Sequence, residues 1–147
     1  MPLSLTKVFD PPRRGIVFRE VSGRERVTLN YALERHVGVT NFAEAASTFS
    51  IRVGQWHLID HHHLAHICSR HADPKTEGLL GQIPITRDDL CRIPEVIDPR
   101  NVFEFRVVGG MARIGYRRED NRGILVAIEE IRRKDRLALK TLYREKQ

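Results

Sequence analysis

The chain has 147 residues, 41% hydrophobic and 30% charged, enough apolar content to bury a core without staples and too much for a disordered segment. A total of 25 Lys and Arg against 19 Asp and Glu gives a formal charge of +6, which points toward phosphate-rich partners. No apolar run approaches the ~20 residues that span a bilayer, and the N-terminus lacks the basic-then-apolar layout of a secretory signal. The expected setting is therefore the cytoplasm, or a target cell's cytoplasm after delivery, with no membrane partner. Cys68 and Cys91 are lone thiols without CxxC spacing and read as unpaired.

Residues 1–15 carry Pro2, Pro11, Pro12 and Gly15 around Arg13 and Arg14, which predicts an extended arm. Residues 16–21 read as a short strand ended by Ser22-Gly23. Residues 27–36, with apolar positions 29, 32 and 33, predict a helix closed by Gly38. Thr40-Asn41 followed by Glu44 marks a second helix start, supported by Ala43, Ala45 and Ala46. In 55–70, Trp56, Ile59, His63, Ile67 and Arg70 recur at spacings of three or four, predicting a helix over the whole run. Residues 71–84, broken by Pro74, Gly78, Gly81 and Pro84, read as a long loop. Thr86 with Asp88 and Asp89 caps a helix over 87–93, and a further turn over 94–97 ends at Asp98-Pro99.

The last third holds four β-like runs, 102–108, 111–117, 123–132 and 135–143. Gly109-Gly110 supplies the positive φ of a tight reversal, a loop over 119–123 ends in Gly, and residues 133–135 form the third joint, so an antiparallel meander is expected. Alternation puts Ile124, Val126, Ile128 and Glu130 on one face of the third run and Leu125, Ala127, Glu129 and Ile131 on the other. In the fourth run the same rule groups Leu137, Leu139, Thr141 and Tyr143 against Arg136, Ala138, Lys140 and Leu142. Arg113 and Arg117, four apart, share a face. Residues 1–54 are read as an N-terminal arm and helical segment and 55–147 as the core, one compact domain overall.

Five of the seven histidines fall between His57 and His66, and His71 lies just beyond. One reading is a metal site, with His62 and His66 four apart on a helix and Asp60 or Glu77 as a third ligand; the helical zinc-protease pattern is absent, since no Glu follows the first His. A second is that most of them are partly exposed helical histidines without a task, since His61, His62 and His63 cannot all face the same site. The third is acid–base catalysis. Cleavage of RNA by its own 2′-hydroxyl needs a base, an acid and positive charge at the phosphorus, and no metal. His66, His71, Arg117, Lys140, Thr141 and Tyr143 offer that set.

Three stretches, LAHICSRH from Leu64, GQIPITRDDLCRIPEVIDP from Gly81 and DRLALKTLYR from Asp135, occur in the order in which they resemble the phage-associated nuclease domains of the barnase, EndoU, colicin and RelE-like superfamily. The resemblance covers a little over half the chain. It implies an α+β fold with N-terminal helices packed on a C-terminal four-stranded antiparallel sheet, and a metal-independent endoribonuclease without cofactor, a toxin or phage-encoded effector. Its partners would be RNA, tRNA included, and an acidic immunity or antitoxin protein. It makes His66 and His71 candidates for base or acid, with Lys140 and Thr141 at the scissile phosphate. Arg113, Arg117, Arg132 and Tyr143 would bind substrate. Lys140 and Thr141 are adjacent, so a regular strand would send them to opposite faces. The alternatives are a non-catalytic nucleic-acid-binding module on a degenerate nuclease fold and a phage partner-binding protein, both tolerated on expression where a nuclease is toxic.

Overall fold

A computed structural model describes residues 15–38, 41–79, 81–132 and 136–147. The proline-bearing arm expected before residue 15, Thr40 and the joint at 133–135 lie outside the described residues. The strands are β1 (Gly15–Glu20), β2 (Trp56–Asp60), β3 (Gln82–Ile83), β4 (Val102–Val108), β5 (Met111–Asp120), β6 (Gly123–Arg132) and β7 (Arg136–Glu145). They form one sheet in the order β1-β2-β7-β6-β5-β4, with β3 paired to β7. The architecture is α+β, but seven strands among the described residues replace the expected four, and the β2–β7 pairing is parallel where an all-antiparallel sheet was expected.

The expected meander β4-β5-β6-β7 is present. Gly109 and Gly110 have φ of 58° and 79°, the mirror-image turn that matches strand twist. The second reversal is tighter than expected, because β5 continues to Asp120 and pairs it with Gly123. The extra strands come from stretches assigned otherwise. Trp56–Asp60 fits a helical stripe by spacing, yet forms β2 between β1 and β7, with His57, Leu58 and Ile59 all buried. A strand covered on both faces loses the alternation that would mark it. The helix then starts late: Asp60 caps α3 (His61–His71) by accepting from the His63 backbone N–H at 2.8 Å. The expected loop at 71–84 contains α4 (Pro74–Leu79) and β3.

Helix α1 (Gly23–Val37) begins a turn before its apolar stripe, because Ser22 accepts from the Glu25 N–H at 3.1 Å, and stops at Gly38, φ 90°. Helix α2 (Phe42–Thr48) follows Asn41. Thr86 and Asp89 close a reciprocal capping box at 3.2 and 3.0 Å on α5 (Arg87–Cys91), and α6 (Ile93–Val96) continues from it. Leu29 and Ala32 of α1 and Ile93 and Val96 of α6 share one buried cluster with Ile114, Leu125, Leu137, Leu139 and Leu142 of the sheet. Ile16 and Val21 belong to the same cluster, so residues 15–53 build the core together with the rest. No helix is long and apolar enough to cross a membrane, among the described residues. Cys68 and Cys91 are free, and Cys68 is exposed.

Candidate active face

The decisive local feature is a bulge in β7. Thr141 pairs with Ile128 but Leu139 pairs with Glu129, which leaves Lys140 as an extra residue without a partner in β6. An inserted residue resets the two-residue period. Leu137 and Leu139 therefore point into the core, while Thr141 and Tyr143 point to the opposite face, which corrects the expectation that all four share one side. The restriction on adjacent residues is lifted in the same way. The Lys140 charge acts on His63, His66 and Glu130, so its ammonium belongs to the Thr141 side.

Register then assembles the face that is turned away from the core. Arg117 pairs with Val126 and Val126 with Tyr143; Gly115 pairs with Ile128 and Ile128 with Thr141; Arg113 pairs with Glu130. Cross-strand partners share a face, so Arg113, Arg117, Thr141 and Tyr143 lie together. Arg132, two beyond Glu130, joins them. On its outer edge β7 is paired with β2 at 136–138 and with β3 at 144 and 145. Between these pairings, residues 139–143 have no strand neighbour on that side among the described residues, and α3 packs against β7 instead.

Helix α3 lays its histidines along this gap. The His66 and His71 rings are 6.0 Å apart between centroids, and His71 is 5.9 Å from the Tyr143 ring. His71 is buried, and its Nδ1 lies 3.2 and 3.3 Å from the two carboxylate oxygens of the fully buried Glu77. Nδ1–H is thus the donor to Glu77, and Nε2 is left for other work. His66 is half-buried; its burial, then the positive charge of His71, Arg70, Lys140 and His62, holds its imidazole below its ordinary pKa. A neutral ring at neutral pH can accept a proton. The Thr141 Oγ1 is buried and has no hydrogen-bond partner among the described residues. Such a hydroxyl costs ~1–3 kcal/mol unless something satisfies it.

The arginines divide by their partners. Arg113 is paired with Glu130 at 2.9 Å. Arg132 bridges Glu130 and Asp60, each at 3.0 Å, and donates to the His63 ring. Burial is the largest influence on His63, and with Arg132 and Lys140 it outweighs the attraction of Asp60 and lowers its pKa. Arg117 and Lys140 make no ion pair among the described residues; Arg117 lies over the Phe103 ring at 5.4 Å. No three His, Cys, Asp or Glu side chains gather as a metal-ligand set among the described residues.

Sequence reasoning weighed Glu77 only as a metal ligand, and it passed over Phe103. No local pattern links Glu77 to His71, because the chain between them turns from α3 into α4. Phe103 reaches the open face because it too is an extra residue: Val102 pairs with Tyr116 and Glu104 with Gly115. His57 was counted with the other histidines, yet it is fully buried on the core side.

A sheet whose open face carries cations without an ion pair among the described residues, beside two imidazoles at a gap in its edge, gives a small α+β domain a surface suited to a polyanion. The chain belongs to the family described as phage-Barnase-EndoU-ColicinE5/D-RelE like nuclease 3, which matches residues 35–147. It is a nuclease domain of that kind. No curated protein and no solved structure matches it.

Proposed function

We propose that the domain is a metal-independent endoribonuclease that cleaves by attack of the 2′-hydroxyl. His66, kept neutral by burial and by the cations around it, takes the 2′-hydroxyl proton as the 2′-oxygen bonds to phosphorus. The bond to the 5′-oxygen breaks, and His71 supplies that oxygen with a proton from Nε2 while Glu77 holds the ring through Nδ1. Lys140 balances charge on the phosphorane, and Thr141 Oγ1–H donates to one of its oxygens. The products are a 2′,3′-cyclic phosphate and a free 5′-hydroxyl. The carrying observation is the His66–His71 pair, 6.0 Å apart, set at the edge gap where the bulge brings Lys140 and Thr141 to the same side. Two imidazoles in this relation suit simultaneous base and acid catalysis, worth about 10²–10⁴ in rate for each proton transferred.

The same reading makes the domain a toxin or phage-encoded effector acting on RNA, tRNA among it, with an acidic immunity or antitoxin protein as its silencer. Purified protein is incubated with total tRNA in EDTA, and the new ends are analysed. The expected result is cleavage with cyclic phosphate ends, abolished in His71→Ala, and growth arrest on induction that the same variant relieves. An uncut tRNA pool that stays bound to the wild type would replace this reading with the non-catalytic binding module.

A further inference from the structure

Twelve residues before Gly115, the β4 bulge throws the Phe103 side chain across the sheet. A Cβ on Gly115 would lie 2.9 Å from the Phe103 ring and 2.6 Å from Glu104 Cγ. Only the missing side chain at Gly115 lets the ring lie flat against β5. The ring borders a recess of about 370 Å³ lined by Arg100, Asn101, Phe103, Arg117, Glu119 and Ile124. The recess therefore has one aromatic wall, the carboxylate of Glu119 and two guanidinium groups; Arg100 is paired with Asp98, and Arg117 makes no ion pair among the described residues.

Its position matters as much as its lining. Arg117, Val126 and Tyr143 form one row across three adjacent strands, so Arg117 and Tyr143 are separated by two strand spacings, about 10 Å. Tyr143 touches His71. A strand of RNA with its scissile phosphate between the histidines would pass the next nucleotide over Tyr143 and on toward Phe103. The neighbouring row, Glu104, Gly115, Ile128 and Thr141, carries its one charged side chain, Glu104, at the β4 end beside Gly115, and its other three residues are small or apolar.

We propose that the Phe103 recess is a subsite for an unpaired nucleobase of the substrate, which stacks on the Phe103 ring while Arg117 holds the adjoining phosphate. The subsite rests on the ribonuclease reading for its substrate, and it requires single-stranded RNA, since a paired base cannot leave its stack to enter. Of the cations on this face, Arg117 is suited to the role because Arg113 and Arg132 are already tied to carboxylates.

The test uses the full chain and a fluorescein-labelled, fully 2′-O-methylated single-stranded oligonucleotide of mixed sequence, which binds but cannot cyclise. Phe103→Leu keeps apolar bulk and removes stacking, and Phe103→Trp restores it. Stacking on an aromatic side chain is worth ~1–3 kcal/mol per base, so Phe103→Leu should weaken binding by about tenfold to a hundredfold with an unchanged salt slope. Phe103→Trp should bind as the wild type does, and a duplex of the same sequence should show no difference among the three. Equal affinity of wild type and Phe103→Leu for the single strand overturns the subsite, whether or not tRNA is cut. If the Phe103 dependence holds while tRNA in EDTA remains whole, the subsite stands and the cleavage chemistry alone fails.

Discussion

Glu129 and His57 are joined by a 2.7 Å hydrogen bond inside the protein, both without solvent exposure. The second His57 nitrogen donates to Glu25 at 2.7 Å, and the Tyr116 hydroxyl donates to the other Glu129 oxygen at 2.7 Å. Arg19 completes the cluster with a 3.0 Å bond to Glu25 and further donation to the carbonyls of Pro94 and Ile97. Burial opposes charge on His57, but the two carboxylates prevail and raise its pKa from 6.5 to about 9. The ring is an imidazolium that donates from both nitrogens. A histidine with a raised folded-state pKa contributes stability that is complete below its unfolded value and fades as pH climbs through the folded one. Urea midpoints should therefore fall between pH 6.5 and about 9. His57→Ala should remove this slope and cost ~3–5 kcal/mol, because the fully buried Glu129 loses its counter-charge while Glu25 keeps only Arg19.

The opposite pH limb belongs to Arg144. Its fully buried guanidinium donates to Asp89 and Asp120, each at 2.6 Å, and ties the end of β7 to α5 and to the β5–β6 turn. Burial tends to raise the Asp89 pKa, but Arg144, the Thr86 N–H and Arg122 together hold it below 3.8; Asp120 is lowered chiefly by Arg144. Carboxylates of this kind stabilise above their unfolded pKa and lose that contribution as pH falls through the folded one. Acid unfolding is expected to set in below pH 3.8 in the wild type. Arg144→Met should shift it toward neutral pH and lower stability at pH 7 by ~3–5 kcal/mol, read by circular dichroism during acid and urea titrations.

Much of the meander was legible because its joints are chemical statements: Gly109-Gly110 admits little but a reversal, and alternation along β5 already set Arg113 and Arg117 on one face. Two things were hidden for physical reasons. β2 is covered on both faces, so its sequence offers a helix spacing as readily as a strand. The β7 bulge depends on how Lys140 fails to find a partner in β6, a relation between two distant segments that neither segment announces. Without it Thr141 and Tyr143 would share a side with Leu137 and Leu139, and Lys140 would lie behind them. The His71–Glu77 contact was out of reach likewise, since it depends on a helix forming where prolines and glycines suggested a loop.

Glu77 should act on catalysis through His71 alone. It is fully buried beneath the ring and shares its two oxygens with Nδ1. Glu77→Gln preserves shape and can still meet the ring, but it removes the negative charge beside the imidazolium that serves as the acid. Cleavage of RNA should lose about tenfold to a hundredfold in kcat with KM nearly unchanged, a fraction of what His71→Ala loses. A matching rise in KM would show that Glu77 shapes the binding face instead.

The free and the paired arginines should separate in a salt titration. Each phosphate neutralised on a single strand contributes about 0.7 to the slope of log binding constant against log salt. Arg117 makes no ion pair among the described residues and stands exposed on the groove face, so Arg117→Ala should reduce that slope by about 0.7 and weaken binding for every sequence. Arg113 spends its charge on Glu130 at 2.9 Å; Arg113→Ala leaves that carboxylate to Arg132 alone and should weaken binding through the part of its charge no longer balanced, an effect that Arg113→Ala with Glu130→Gln reverses. Fluorescence anisotropy with the 2′-O-methylated strand, repeated across salt concentrations, distinguishes the two. If the single variants give the same slope and the double variant recovers nothing, the two arginines contribute alike, and the division drawn from their ion pairs does not govern binding.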